Sequence, residues 1–270
     1  MTGMLEDLPP IREQLAQHGL MARKSFGQHF LLDLNLTGRI ARAAGDLHQG
    51  SCIEIGPGPG GLTRALLAAG AADVIVIEKD LRFRPILDDI ASCCPGRLQV
   101  IEADALKTPM HELGTAPRRV IANLPYNIST PLLISWLRHI ADFSSLTLMF
   151  QKEVAQRIAA APGSGSYGRL SVMTQWLCHA EILFDVPARA FTPPPKVDSA
   201  IIQLHPKDNP PDAGTFARME QTVARAFNQR RKMVRSSLKG YDFETADIDP
   251  TARAEQLTVD DFLRLSRTGN

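Results

Sequence analysis

Cysteine is scarce in this chain of 270 residues: there are four, Cys52, Cys93, Cys94 and Cys178, and no Cys-x-x-Cys pair. A disulfide-built scaffold and a thiolate metal knuckle are therefore not expected. Reduced thiols are, with Cys52 a small hydrophobe inside an apolar run. The seven histidines include no His-Glu-x-x-His or comparable spacing, so no metal is expected. No apolar run approaches the ~18 residues of a membrane span. The N-terminus is acidic and proline-bearing instead of basic and then apolar, which is not a secretory signal. The chain reads as soluble and cytoplasmic, with no membrane partner. An excess of one charge is also missing, since the formal net charge is +1. Internal repeats and low-complexity segments are absent as well.

What is present is enough apolar material, 44% of residues, for one large core and an appendage. A chain of this length buries roughly three quarters of its unfolded surface. From about residue 50 to 150, short apolar runs alternate with helical spacing. Ser51–Ile55, Asp73–Ile77, Leu98–Glu102, Arg119–Ala122 and Leu146–Phe150 read as buried strands, and Leu62–Ala69, Leu81–Ile90 and Pro131–Ile140 as helices. The alternation predicts a doubly wound, Rossmann-like α/β sheet covered on both faces. Ala180–Val186 and Val197–Leu204 have no clear helix between them, so a hairpin-like antiparallel addition at the sheet edge is expected. Beyond a polar, proline-bearing stretch the spacing is helical through Phe216, Met219, Val223 and Phe227, then Met233 and Leu238, then 257–265. The expected division is an N-terminal extension over 1–22, a sheet domain over 23–206 and a small all-helical domain over 207–270.

Glu54-Ile55-Gly56-Pro57-Gly58-Pro59-Gly60-Gly61 follows the first of these strands and opens a helix. Glycines permit the tight turn and close approach of a ligand to the main chain, beside free N–H groups at the helix start. Read loosely, Gly56, Gly58 and Gly61 fit G-x-G-x-x-G, so a nicotinamide or flavin cofactor is one reading. The other is S-adenosylmethionine. It needs a glycine loop for the methionine part, an acid for the ribose at Glu78 and an acid for the adenine at Asp104. Both acids end successive strands, where ligands of such sheets collect.

Asn123-Leu124-Pro125-Tyr126 ends a fourth strand. It sets an amide, a rigid turn and an aromatic ring side by side. An exocyclic amine on adenine is a poor nucleophile because its lone pair is delocalised. Two hydrogen-bond acceptors, the Asn123 oxygen and a main-chain carbonyl, would favour a tetrahedral nitrogen. Pro125 keeps the local carbonyls out of a helix ladder, and Tyr126 offers a face for an unstacked base. A plain turn, with Asn123 capping a helix that starts near Ser129, accounts for the tetrapeptide equally well.

Arg225, Arg230, Arg231, Lys232, Arg235 and Lys239 crowd one late segment with almost no acidic partners, and Arg23-Lys24 precedes an aromatic-glycine stretch. Phosphate contacts and a solvated helix face are both compatible with these charges.

Four blocks together resemble the small-subunit ribosomal RNA adenine dimethyltransferases. They are 24–31 (Lys-Ser-Phe-Gly-Gln-His-Phe-Leu), the glycine loop with Glu54, 123–129 (Asn-Leu-Pro-Tyr-Asn-Ile-Ser) and 191–199 (Phe-Thr-Pro-Pro-Pro-Lys-Val-Asp-Ser). The resemblance runs from about Arg23 to the C-terminal helices. It implies an S-adenosylmethionine-dependent methyltransferase sheet and transfer of two methyls to N6 of each of two adjacent adenosines in a hairpin near the 3′ end of 16S rRNA. By the same resemblance, the segment from Gln28 to Leu31 closes over the cofactor, with His29 and Leu31 touching it. Some members have Asn in place of His29, so that contact falls mainly to backbone. Gly56 and Gly58 serve the methionine part, Glu78 the ribose, and Asp104 with Ala105 the adenine. Asn123 lies where donor and target amine meet, Leu124 and Pro125 shape the turn, Tyr126 stacks on the flipped base and Phe191 flanks its other face. Arg23, Lys24, Arg225, Arg230, Arg231, Lys232 and Arg235 bind RNA. The implied partner is 16S rRNA within a small-subunit precursor, and the protein a monomer.

Rival readings are a 23S rRNA adenine methyltransferase conferring antibiotic resistance, disfavoured by the 193–199 block, and an assembly factor acting mainly by binding. An oxidoreductase is weakest, since nothing resembles a hydride-transfer pair.

Overall fold

The computed structural model describes residues 4–22, 27–229 and 231–269. Two compact units emerge: Met1–Lys152 with Ile182–His205, and Glu153–Glu181 with Pro206–Asn270. The expected boundary at 206 lies close to one crossing point, but residues 153–181 group with the C-terminal helices instead of the sheet. The described residues 4–22 group with the sheet in the first unit.

In the first unit the chain runs through α1 (Ile11–Gln17), β1 (Phe30–Leu31), α2 (Leu34–Ala43), β2 (Ser51–Ile55), α3 (Gly61–Ala68) and β3 (Asp73–Glu78). It continues through α4 (Arg84–Cys93), β4 (Leu98–Glu102), β5 (Arg118–Asn123), α5 (Tyr126–Leu137) and β6 (Ser145–Gln151). β7 (Cys178–Val186), β8 (Phe191–Thr192) and β9 (Ser199–Pro206) complete the strands. Seven of them form one sheet in the order β4-β3-β2-β5-β6-β9-β7. The pairs from β4 to β6 are parallel, and β9 runs antiparallel to β6. The expected edge addition is thus present, although Val197 is 46% exposed and lies ahead of the strand. All five residues of β2 are buried, as a central parallel strand covered on both faces requires.

The strand order fixes where a ligand can sit. From β2 the chain winds outward to β3 and β4, then returns to β5 on the other side of β2. The carboxyl ends of β2 and β5 therefore flank a topological switch point, the crevice that open α/β sheets use for ligands.

Two helices depart from expectation for local reasons. α5 starts at Tyr126 and not near Ser129, because Pro125 at its N-cap, φ −56°, already directs the chain into the helix. Pro131 inside α5 forfeits only the bond that its missing N–H would give to the preceding turn. The expected Leu81–Ile90 helix opens as a 3-10 turn, Leu81–Phe83, capped by the Asp80 side chain, and α4 continues with Pro85 in its first turn. The sequence reading assigns no helix over Leu34–Ala43, although Asp33 caps it by accepting from the Asn35 N–H at 2.8 Å. α1 packs into the core through Ile11 and Leu15, and the Arg64 guanidinium donates to the Pro9 carbonyl at 2.9 Å and to Gln14.

The second unit contains α6 (Lys152–Ile158), α7 (Arg169–Leu177), α8 (Ala213–Phe227), α9 (Val234–Ser237) and α10 (Val259–Ser266). α7 is buried nearly all round, at Leu170, Ser171, Val172, Met173, Thr174 and Leu177, so no amphipathic stripe announces it. α8 keeps its predicted face, with Phe216, Met219 and Val223 buried, whereas Met233 is 41% exposed at the N-cap of α9. Cys52, Cys94 and Cys178 are buried free thiols, and burial pushes Cys52 up to about 11 and Cys178 up to about 12. Among the described residues no helix is long and apolar enough to cross a membrane.

Candidate active site

A cleft of about 320 Å³ opens in the first unit at the switch point between β2 and β5. That volume lies at the lower end of the range for small-molecule sites. Twelve of the residues expected from the sequence line it: Gln28, His29, Leu31, Gly56, Gly58, Glu78, Asp104, Ala105, Asn123, Leu124, Pro125 and Tyr126.

The floor is the loop after β2. Gly56, Gly58 and Gly60 all take positive φ, 63°, 53° and 80°, a turn that L side chains resist. Its shape is held by Glu78 at the end of β3. One carboxylate oxygen accepts from the Gly58 N–H at 3.0 Å and the other from the Asp80 N–H at 2.7 Å. Burial pushes the Glu78 carboxyl up, against the pull of these bonds. Asp104 caps the turn after β4 by accepting from the Leu106 N–H at 3.0 Å, and Lys79 reaches it at 2.8 Å. The hydrogen bond from Lys79 and that from Leu106 hold the Asp104 carboxyl low.

Asn123 ends β5. Its side-chain amide donates to the His29 carbonyl at 3.2 Å, which leaves Oδ1 as the atom available to accept from a ligand. The capping role is ruled out by position, because Pro125 and not Asn123 is the N-cap of α5. Tyr126 opens α5 with its hydroxyl 2.7 Å from Ser199 Oγ. Its ring stacks with the His29 imidazole at 6.0 Å between centroids and 26° between planes. His29 Nδ1 lies 2.7 Å from the Pro193 carbonyl, so that nitrogen must carry a proton and donate.

Phe191 is not in the cleft. It is 3% exposed, pairs with Leu31 across the β1–β8 ribbon and belongs to the core. It shares that core cluster with Leu31. Of the basic residues, Arg225, Arg231, Lys232 and Arg235 are exposed in the second unit. Arg23, Lys24 and Arg230 lie outside the described residues.

The lining residues that were not among the expected ligands include Glu54, Asp80 and Leu106. Leu106 is 49% exposed, an apolar side chain beside Asp104 at the cleft. Asp80 follows Glu78 by two residues, a spacing that could have signalled a shared role. Glu54 is 2% exposed and accepts from the Thr63 hydroxyl at 2.7 Å. Burial pushes its carboxyl up to about 8.

The folded value lies above the ordinary 4.5, so protonated Glu54 contributes stability that is complete below about pH 4.5 and disappears as pH rises through about 8. Glu54→Gln is expected to flatten the decline in unfolding free energy between about pH 5 and 9, followed by denaturant titration at each pH. An unchanged slope would mean that Glu54 is ionised in the folded protein.

Charge also discriminates between cofactor classes. Glu54, Glu78, Asp80 and Asp104 line the cleft against one lysine, Lys79, which is already bound to Asp104. A pyrophosphate would meet the acids Glu78, Asp80 and Asp104, with Glu54 held neutral by burial and Lys79 already engaged, whereas a sulfonium with an ammonium tail meets a complementary field. The residues present therefore fit S-adenosylmethionine better than a dinucleotide.

The chain is similar to proteins of known kind. A family model described as Ribosomal RNA adenine dimethylase matches residues 19–269. Ribosomal RNA small subunit methyltransferase A of Rhodospirillum rubrum is 59% identical over 267 residues, spanning 97% of this chain and 93% of that protein. The protein of the same name from Paramagnetospirillum magneticum is 58% identical, spanning 97% of this chain and 95% of its own. Among solved structures, a dimethyladenosine transferase from Plasmodium falciparum superposes with a TM-score of 0.75 at 28% identity, over 88% of this chain and 96% of that one. The 23S rRNA methyltransferase ErmE gives 0.66 at 29% identity, over 88% and 98%.

Proposed function

The chain belongs to the ribosomal RNA adenine dimethylase family, and from that premise we propose that it dimethylates N6 of two adjacent adenosines in a hairpin near the 3′ end of 16S rRNA. It acts as a cytoplasmic monomer on a small-subunit precursor and uses S-adenosylmethionine. When bound, that cofactor supplies a methyl group already activated by its sulfonium. The supporting observation is Asn123, whose amide donor is engaged by the His29 carbonyl so that its oxygen is left to accept from the target amine.

Glu78 offers its carboxylate to the ribose hydroxyls, Asp104 accepts from the adenine amino group of the cofactor, and the glycine turn leaves room for the methionine part. Tyr126 stacks on the extruded target base. Its hydroxyl bond to Ser199 fixes the ring for that contact. Asn123 Oδ1 and a main-chain carbonyl of the same turn then favour a tetrahedral N6. Positioning of this kind removes on the order of 7 kcal/mol or more from a barrier. Extrusion of the base costs a few kcal/mol, least in a loop. No base is needed beforehand, because the amine proton can leave to water after attack. The second methyl requires N6 to turn its first methyl away, which a pocket with two acceptors allows.

The test is incubation with labelled S-adenosylmethionine and undermethylated small subunits, followed by mapping of dimethyladenosine. Label in large-subunit RNA instead would overturn this reading in favour of the 23S activity. Arg225, Arg231, Lys232 and Arg235 are assigned to rRNA phosphates. RNA affinity should then fall steeply with salt, by about 0.7 to 0.9 in log–log slope per phosphate contact. Reversing Arg231, Lys232 and Arg235 to Glu should weaken binding of precursor subunits and flatten that slope while cofactor binding stays intact. Unchanged affinity would remove the assignment.

A further inference from the structure

Residues 27–31 line the cleft as a strap, and a nearly buried carboxylate ties them to the loop after β3. Asp80 is 6% exposed. Burying a carboxylate to that degree is costly unless it is paired and hydrogen-bonded. Here the Arg82 guanidinium forks onto it, Nε to Oδ1 at 2.8 Å and a terminal nitrogen to Oδ2 at 2.5 Å. The Gln28 side-chain amide donates to the same Oδ2 at 2.9 Å, and Arg82 in turn reaches Gln28 Oε1 at 3.5 Å. Arg82 also donates to the Met21 carbonyl, ahead of the strap, at 3.3 Å. Gln28 thus meets both halves of one ion pair, donor to acceptor and acceptor to donor.

Asp80 connects in two further directions. Its N–H holds Glu78 at 2.7 Å, and Glu78 in turn holds the Gly58 N–H at 3.0 Å. One residue beyond Gln28, the His29 carbonyl receives the Asn123 amide at 3.2 Å. The ion pair therefore lies between the acid assigned to the ribose and the strap that orients Asn123. We infer, on the methyl-transfer reading of this cleft, that Asp80 and Arg82 form a latch that positions the strap against the cofactor and keeps the Asn123 oxygen turned to the target amine. Both are positioning residues, acting through Gln28 and His29.

Charge neutralisation alone would need only a cation near Asp80. A latch needs the fork, because one guanidinium must serve Asp80, Gln28 and Met21 together. Arg82→Lys keeps the charge and loses that geometry, so it separates the two roles.

The test uses the full chain in five forms: wild type, Gln28→Ala, Arg82→Met, the double variant, and Arg82→Lys. S-adenosylmethionine affinity is read by calorimetry, and amide exchange across residues 28–32 by mass spectrometry, with β2 and β3 as internal reference. Each single variant is expected to lose affinity about tenfold. Exchange in the strap should rise while that of β2 and β3 is unchanged. The double variant should lose the same tenfold and no more, because both changes break one connection. Arg82→Lys should resemble Arg82→Met in strap exchange. Losses that multiply to about a hundredfold, or a strap whose exchange does not respond, would overturn the latch. If Arg82→Met fails to fold with Asp80 left unpaired, Asp80→Asn combined with Arg82→Met removes both charges, and wild-type affinity in that folded pair would overturn it equally. A wild type that binds the cofactor but leaves small subunits unmethylated sinks the substrate reading and not the latch. These binding and exchange measurements do not involve RNA.

Discussion

Replacing Asn123 by alanine is expected to lower the methyl-transfer rate on undermethylated small subunits by roughly 10²–10³-fold, the range for removing one preorganised polar group from a reacting centre. Cofactor affinity, read separately by calorimetry, should change far less, since Glu78, Asp104 and the glycine turn remain. The variant Asn123→Asp is the sharper probe. It keeps an oxygen to accept from the amine but has no donor for the His29 carbonyl, which lies 3.2 Å from the native amide nitrogen. Two acceptors would then face each other, so strap exchange should rise in the Asp variant as well as activity fall. An alanine variant retaining more than about a tenth of the rate would mean that the main-chain carbonyls of the turn suffice to orient N6.

The second large effect comes from Gly61, the first residue of α3, and it concerns space more than backbone freedom. A Cβ at this position would stand 2.5 Å from the Leu31 carbonyl oxygen and 3.2 Å from the Ile11 side chain. The first is backbone and cannot swing aside. Gly61→Ala is therefore expected to push the strap off the helix N-terminus, with loss of about 1–3 kcal/mol of stability and of most cofactor affinity. Gly38→Ala is the control. Its Cβ would meet the flexible end of Arg42 at 3.2 Å inside α2, and replacing a helical glycine there should be neutral or slightly stabilising. Thermal denaturation and cofactor titration of the two variants together decide the matter. Equal behaviour would mean that the strap tolerates displacement.

The candidate cleft was largely legible before the fold, because the residues proposed as its ligands sit at strand ends in chain order and the strands announce themselves by short Val- and Ile-rich runs. Glu78, Asp104 and Asn123 needed only that order to fall on one edge. Phe191 was not legible in the same way. An aromatic ahead of three prolines looks the same whether it lines a cleft or backs a ribbon, and pairing with Leu31 decided for the core. Likewise, α7 has no polar face to set a period, so only its surroundings reveal it.

Local backbone preference and position at the end of a run already fix the alternating architecture, the glycine turn and the placement of the two acids and the amide. The tertiary structure decided what those residues do to one another. It supplied the His29 carbonyl that turns Asn123, the stacking of His29 on Tyr126, the burial that lifts Glu54 and Glu78, and the Asp80–Arg82 pair that grips Gln28. The reason is distance along the chain. Asn123 and His29 are 94 residues apart, and Gln28 and Asp80 are 52 apart. No local preference can encode such a meeting; packing of the sheet and its strap must bring the groups together.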